Sequence, residues 1–307
     1  MKTLLKLCVL ACLLGGCLCA QNNTVVLKSA FVEQYKDRAT IEATFTVDHA
    51  HKKPNLPAND GDMHVAGRAP KEVGLPMVAE VMNAAQHDEQ GAVDDIHDLE
   101  GENKPVTVRG VWRFWFEHPS KSQVQFADVP VPKNTNPDHS FEIHPITIFD
   151  GKGVQTGFQE VKDFEPYDAE TAFPYYESLK ATVSSTGSGI SISAAKAKYN
   201  YTEFKITLAG KPKELAASDE KGGYIALADI NGKGDEPLAT DVRMIFVPGT
   251  PPADKVKKLG KGDEMHLIGI PRINLNAVST MATATGKTPI TKKLPYEMII
   301  VAALDKD

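Results

Sequence analysis

The feature that most restricts the fold of this chain is an eight-residue pattern that occurs twice. Residues 106–113 (VTVRGVWR) and 265–272 (MHLIGIPR) both alternate apolar side chains, place a glycine at the fifth position and end on an arginine. Two further segments of the first half, 61–68 and 141–143, have similar counterparts roughly 160 residues later, in the same chain order. The sequence therefore predicts one type of domain present twice in tandem.

Each half also shows the alternation of apolar and polar side chains that is typical of strands with one buried face. In the first half, we expect strands at residues 40–47, 61–68, 77–82, 106–116 and 141–149, with a helix at 86–99. In the second half, we expect strands at residues 204–208, 223–229, 242–247, 265–270 and 296–303, with a helix at 251–259. Five strands with a helix between the third and the fourth are the order of an OB-fold, a small barrel. The predicted fold class is mainly β, with two tandem five-stranded OB-like barrels that each carry a short helix between strands 3 and 4.

The predicted domains follow from this pattern: residues 1–20 a signal peptide, 21–150 the first OB-like domain, 151–185 a linker or packing segment, and 186–307 the second OB-like domain. The segment 151–185 contains the glycine, proline and serine residues that are typical of connections. Each predicted fourth strand has a glycine midway, Gly110 or Gly269, where a bulge would let the strand coil and close a barrel.

The first 20 residues have the pattern of a secretory signal. Lys2 and Lys6 precede an apolar run that is too short to span a bilayer, which takes about 20 residues. Residues 14–17 (LGGC) resemble the lipobox of bacterial lipoproteins, which implies lipidation of Cys17; cleavage after Ala20 is the alternative. We therefore expect an exported protein at the periplasmic face of a membrane or at the cell surface, in contact with the membrane through a lipid anchor only.

Cysteine and charge content restrict the chemistry. All four cysteines lie within residues 1–20, which excludes disulfides, thiol catalysis and cysteine-bound zinc from residues 21–307. Residues 21–170 carry 14 Lys and Arg against 25 Asp and Glu, a net charge of −11, and such a surface repels nucleic-acid phosphates. Residues 171–307 carry 18 Lys and Arg against 15 Asp and Glu, a net charge of +3. Nucleic-acid binding is disfavoured for the first half and stays an alternative for the second.

Two motifs carry a family resemblance. Residues 60–64 (DGDMH) and 142–146 (EIHPI) resemble the D-G-D-x-H strand start and the E-[IL]-H-P-[VI] strand of a group of uncharacterised bacterial exported proteins with OB-fold-like domains. The resemblance covers about residues 40–150 and implies the barrel fold for that part of the chain.

The candidate metal ligands of the sequence lie on three predicted strands of the first half. Because side chains two residues apart share a face of a strand, and because the third strand of an OB barrel lies between the second and the fifth, these side chains are expected to converge. Imidazole and carboxylate groups suit zinc, manganese or iron. The candidate ligands of a divalent metal are Asp62, His64, Glu80, Glu142 and His144. The alternative is that the histidines hydrogen-bond carboxylates and only hold the strands in register, so no cofactor is predicted outright.

A second set of residues combines cations with aromatic rings, as in surfaces that bind sugars or single-stranded nucleic acid. The candidate binding face consists of Arg109, Arg113, Trp115, Tyr199, Tyr201, Arg243 and Arg272. The alternative is that the neighbouring domain covers these strands.

The leading functional hypothesis is a non-enzymatic binding or accessory protein of the cell envelope, which recognises an oligosaccharide, a peptide or an envelope protein on a barrel face. No sequence pattern identifies a catalytic residue. Two alternatives remain: a metal-dependent hydrolase centred on Asp62, His64, Glu142 and His144, and single-stranded nucleic-acid binding by the second domain.

Overall fold

The computed structural model describes residues 23–87, 91–119, 122–154, 164–233 and 236–304. The predicted signal peptide, including Cys17, lies outside these described residues. Within them, strands predominate and two closed five-stranded barrels follow one another along the chain, which confirms the predicted fold class. No helix in the described ranges is both long enough and apolar enough to cross a bilayer.

The first half contains strands β1 (Asn23–Lys28), β2 (Thr40–Ala50), β3 (Met63–Arg68), β4 (Met77–Val81), β5 (Pro105–Phe114), β6 (Gln123–Val124), β7 (Phe141–Phe149) and β8 (Lys152–Gly153). The second half contains β9 (Tyr167–Asp168), β10 (Lys180–Thr186), β11 (Gly189–Ala194), β12 (Thr202–Leu208), β13 (Lys213–Glu214), β14 (Tyr224–Asn231), β15 (Pro237–Phe246), β16 (Glu264–Ile273), β17 (Ile290–Lys293) and β18 (Tyr296–Leu304). The α-helices are α1 (Ser29–Tyr35), α2 (Ala84–His87), α3 (Ala92–Leu99), α4 (Ala169–Ser178), α5 (Pro251–Val256) and α6 (Leu275–Thr285).

Both barrels have the strand order of an OB-fold. The first closes through β2, β3, β4, β7 and β5, with β4 and β7 parallel and the other pairs antiparallel. The second closes in the same way through β12, β14, β15, β18 and β16, with β15 and β18 as its parallel pair. Helices α2 and α3 in the first barrel, and α5 in the second, connect the third strand to the fourth, as predicted.

The two predicted glycine bulges are present. The register shifts at Gly110 where β5 pairs with β7, and at Gly269 where β16 pairs with β18. A Cβ atom on Gly269 would lie 2.9 Å from the carbonyl oxygen of Ile299, and one on Gly110 would overlap the side chain of Ile143. The close approach of the fifth strand therefore requires glycine at both positions.

Residues 151–185, expected as a linker or packing segment, contain α4 and most of β10. The carboxylate of Asp168 caps α4 by accepting a hydrogen bond of 2.7 Å from the Thr171 amide, and the helix buries Phe173 and Tyr176. Strand β10 belongs to a third sheet with the order β17-β10-β11-β1-β6. This sheet combines strands from both halves, so the segment joins the two barrels rather than separating them.

The two barrels meet at a surface that we call the joint, where the arginines that end the repeated pattern lie buried. Arg113 Nη1 lies 2.5 Å from Glu142 Oε2, and Arg272 Nε lies 2.6 Å from Glu297 Oε1. Both pairs link directly opposed residues of the fourth and fifth strands. The same buried ion pair therefore occurs once in each barrel.

Candidate metal centre

The five side chains predicted as metal ligands lie on the outer face of the first barrel, where the second barrel covers it. Strand alternation explains their placement, because the intervening Val65, Ala79 and Ile143 belong to the hydrophobic core. The antiparallel register of β3 and β4 places His64 opposite Glu80, and β7 runs beside β4. The structure thus brings Asp62, His64, Glu80, Glu142 and His144 together.

Asp62, Glu80 and His144 form the tightest group, which we call the acidic trio. One donor atom from each lies within 4.8 Å of the others, and their exposed fractions are 0%, 5% and 0%. His144 Nδ1 is 3.6 Å from both Glu80 Oε2 and Glu142 Oε2, which is too far for a hydrogen bond. Within the described part of the chain, this nitrogen has no hydrogen-bond partner. On the other edge of the ring, His144 Nε2 lies 3.1 Å from Asp62 Oδ2, so the donor atoms of the trio converge while the Nδ1 edge stays unsatisfied.

Tyr201 of the second barrel reaches the other edge of the His144 ring. Its hydroxyl donates a hydrogen bond of 2.6 Å to Asp62 Oδ2 and lies 2.7 Å from His144 Nε2. Because the single hydroxyl proton is directed to Asp62, His144 Nε2 must be the donor in its contact with Tyr201. Tyr201, predicted only as part of the candidate binding face, therefore contacts the trio, which no sequence pattern indicated.

Burial and mutual contact shift the pKa values of the trio. Burial raises the pKa of Glu80 to about 8, so that this carboxyl holds a proton at neutral pH. Burial by itself lowers the pKa of His144, but the negative charge that Glu80 gains when it ionises, together with that of Asp62, outweighs burial and raises the pKa of His144 well above its usual range. Burial also raises the pKa of the Tyr201 phenol. Protons therefore hold the trio together when no cation is bound.

Glu142 differs from the trio because it already has a cationic partner. Burial by itself raises the pKa of its carboxyl, but the Arg113 guanidinium outweighs burial and holds the pKa well below its usual range. His118, His139 and Glu142 also have donor atoms within 4.8 Å of one another, and His139 Nε2 lies 3.2 Å from Glu142 Oε1. A cation at this second group would face the guanidinium of Arg113, which disfavours binding there.

His64 lies at the margin of the trio. Its Nε2 is 3.5 Å from Glu80 Oε2, and its ring stacks on His51 with centroids 4.7 Å apart. Burial lowers the pKa of His64, so the ring is neutral at physiological pH and able to accept a cation or a proton at a free lone pair.

The second barrel shows that the fold does not require polar side chains at the positions of the trio. In the strand registers of the two barrels, Glu80 corresponds to Ile245 and His144 corresponds to Ile299, both of which are fully buried. By the same registers, His64 corresponds to Ile225. Glu142, in contrast, corresponds to Glu297 and keeps its arginine partner. The ion pair is therefore part of the architecture, whereas the acidic trio is specific to the first barrel.

The prediction of an exposed binding face was wrong for most of its residues. Arg113, Trp115, Tyr201, Arg243 and Arg272 are all buried. Their cationic and aromatic groups interact across the joint. For example, the Arg272 guanidinium lies 3.5 Å from the ring centroid of Trp112. An outward strand face that packs on a second barrel has the same amphipathic pattern as one that binds a ligand.

Arg109 and Tyr199, the remaining residues of that set, are partly exposed but engaged. Arg109 Nη2 donates a hydrogen bond to the Asp219 carbonyl of the second barrel. Tyr199 packs edge-to-face on Tyr167, with ring centroids 4.8 Å apart. The side chains of Arg109 and Tyr199 thus contribute to packing between segments and do not form an exposed binding surface.

A cleft of about 250 Å³ opens beside the trio and ends on Tyr201. Its lining includes three carboxylates and three tyrosines: Asp60, Glu117, Glu165, Tyr167, Tyr199 and Tyr201. Burial and the neighbouring Asp62 raise the pKa of Asp60. The cleft offers a cation an acidic route to the trio, with Tyr201 between the solvent and the buried donor atoms.

No protein family matches this sequence, and no characterised protein is significantly similar to it.

Proposed function

We propose that this protein is a non-enzymatic binding protein of the cell envelope that holds a metal cation in the joint between its two barrels. The observation that carries the proposal is the convergence of Asp62, Glu80 and His144 at a buried position whose counterpart in the second barrel is aliphatic. Buried polar groups that the fold does not need cost free energy, so their presence points to a ligand.

The donor set fits a transition-metal cation. Two carboxylates and one imidazole are ligands that zinc, manganese and iron share. The Nδ1 edge of His144 faces the carboxylates of Glu80 and Glu142, and a metal-bound histidine commonly donates its other ring N–H to such a carboxylate. A buried polar group without a hydrogen-bond partner costs about 1–3 kcal/mol of stability. A cation that draws the imidazole and the carboxylates together removes that cost.

Burial of the trio favours holding a cation over hydrolysis. A hydrolytic metal keeps one coordination position open for water and substrate. Here, Asp62 and His144 are fully buried, and Tyr201 lies between them and the cleft. The cleft itself is the surface that we propose for recognition of an oligosaccharide, peptide or envelope protein.

Metal binding by the purified chain tests the proposal. Protein stripped with a chelator is dialysed against zinc, manganese or iron, and the bound metal is measured by mass spectrometry. We expect one equivalent in the wild type and a loss of affinity of at least about tenfold in His144→Ala. Asp62→Asn, which keeps the shape of the side chain, should show the same loss if His144→Ala folds poorly.

Ile299→Val is the matched control, because Ile299 is the repeat counterpart of His144. It should cost about 0.5–1.5 kcal/mol of stability and leave metal binding unchanged. The proposal is contradicted if the wild type binds none of the three metals, or if His144→Ala and Asp62→Asn bind as well as the wild type does.

A further inference from the structure

The geometry points to Tyr201 as a fourth ligand of the cation and to ferric iron as the metal. This inference rests on the proposed function and adds the identity of the cation and a ligand from the second barrel. It begins from the triangle of donor atoms that Asp62 Oδ2, His144 Nε2 and Tyr201 Oη form.

The sides of this triangle are 2.6 Å between Tyr201 and Asp62, 2.7 Å between Tyr201 and His144, and 3.1 Å between His144 and Asp62. Neighbouring ligands of an octahedral cation with bonds of about 2.1 Å are separated by about 3 Å. One face of an octahedral site therefore needs only small shifts of these three atoms.

A cation bound to both Asp62 Oδ2 and His144 Nε2 must come into contact with Tyr201 Oη, because that oxygen lies beside both atoms. The phenol ring has little freedom to leave. It is 2% exposed and packs edge-to-face on Phe164 and His144, with ring centroids 5.4 and 5.6 Å away. Tyr201 Oη consequently enters the coordination sphere.

The repeat supports a specific role for this tyrosine. Ile41 pairs with Gly110 in the first barrel, and Thr202 pairs with Gly269 in the second, so Tyr201 corresponds to Thr40. Thr40 donates its hydroxyl hydrogen bond, 2.6 Å long, to the buried carboxylate of Glu220. A short hydroxyl side chain at this position is thus sufficient to donate a hydrogen bond to a buried carboxylate. The longer phenol occurs only at the counterpart that contacts the trio.

The charges of the donor set select the metal. On binding, the O–H bond of Tyr201 and the Nε2–H bond of His144 break, these two protons and that of Glu80 leave to solvent, and the phenolate oxygen and the imidazole nitrogen form bonds to the cation. Asp62, Glu80 and Tyr201 then carry three negative charges, which a trivalent cation neutralises in a buried site where uncompensated charge is costly. Phenolate is an established protein ligand of iron, and imidazole suits iron as well.

Visible absorption tests the inference, since a phenolate bound to ferric iron gives a charge-transfer band that a carboxylate and imidazole site lacks. Ferric nitrilotriacetate is titrated into the stripped full-length chain. We expect the band in the wild type, its loss in Tyr201→Phe, and about 10- to 100-fold weaker ferric binding by that variant. Tyr176→Phe, which removes the hydroxyl of a buried tyrosine outside the trio, should keep the band.

Two results would overturn the inference while leaving the proposed function intact: bound ferric iron without a band in the wild type, or a band that persists in Tyr201→Phe. Zinc binding, followed by competition with a chromophoric chelator, separates the two claims. If the wild type binds zinc but ferric iron gives no band, the inference fails alone. If no cation binds at all, the proposed function fails with it.

Discussion

Arg113 and Arg272 each donate a hydrogen bond to the backbone carbonyl that precedes the other arginine. Arg113 Nε lies 3.0 Å from the Pro271 oxygen, and Arg272 Nη1 lies 2.9 Å from the Trp112 oxygen. Since the two arginines are repeat counterparts, this exchange relates the barrels by an approximate two-fold axis. The joint is therefore built like the interface of a symmetric dimer, in which the same surface is used by both partners.

Arg272→Met should be strongly destabilising because it leaves the buried carboxylate of Glu297 short of one cationic partner. Removing one member of a buried ion pair costs about 3–5 kcal/mol. Arg243 Nη1, 2.7 Å from Glu297 Oε2, remains as a partner of this carboxylate. The expected loss of unfolding free energy is therefore near the lower end of that range, about 3 kcal/mol. Urea unfolding measures the effect.

The double variant Arg272→Met/Glu297→Met should recover part of that loss, because it leaves no unpaired buried carboxylate and because Arg243 keeps its ion pair with Asp37, 2.9 Å away. Lys257→Ala, which removes an exposed ion pair with Asp254, is the control and should leave stability nearly unchanged. Equal effects of Arg272→Met and Lys257→Ala would show that the joint does not depend on this pair.

Gly110→Ala should destabilise the first barrel by about 1–3 kcal/mol, because the added methyl group overlaps Ile143 and the β5–β7 pair must separate. Gly260→Ala provides the control, since a Cβ atom added there would have no neighbour within 4 Å and the φ angle is not positive. Thermal unfolding of both variants compares them. A neutral effect at Gly110 would contradict the close approach described for the fifth strand.

The pH dependence of stability in chelator-treated protein should report Glu80. Its pKa rises from 4.5 to about 8 on folding, so the folded state binds this proton more tightly. The resulting stability is present below pH 4.5 and is lost as the pH rises through about 8. Glu80→Gln keeps the neutral shape of the side chain and should therefore lose less stability between about pH 5 and pH 8 than the wild type. Unfolding free energies with identical pH slopes would exclude a buried, protonated Glu80.

Cys17→Ser tests the proposed lipid anchor. If Cys17 is acylated, the variant should move from the membrane fraction to the soluble fraction, because one or two acyl chains supply the only predicted contact with the bilayer. Fractionation of cells that express the full chain measures this shift, and a distribution identical to that of the wild type would favour cleavage after Ala20.

Much of the fold is predictable from the sequence because the determining signals are local. Side-chain alternation along 106–113 and 265–272 gives the strands, and the glycines at Gly110 and Gly269 give the bulges that close the barrels. The convergence of the five candidate ligands also follows from a period of two along strands of known order.

The remaining features depend on how the two barrels pack. Tyr201 joins the trio only because the second barrel covers the first, which no local pattern encodes. The same docking buries Arg113 and Trp115, so a pattern typical of a binding face forms an interface. Strand β10 was missed although β11 follows it directly. Its other partner, β17, lies far along the sequence, between β16 and β18 of the second barrel, so no local pattern encodes that pairing.

Anomalous X-ray scattering from a crystal grown with iron or zinc tests the central claim most directly, because it locates the bound cation. We predict a single strong peak among Asp62, Glu80 and His144 at the joint, within about 2.0–2.3 Å of their donor atoms. A peak at His118 and His139 instead, or none at saturating metal, would contradict the assignment of the acidic trio as a metal site.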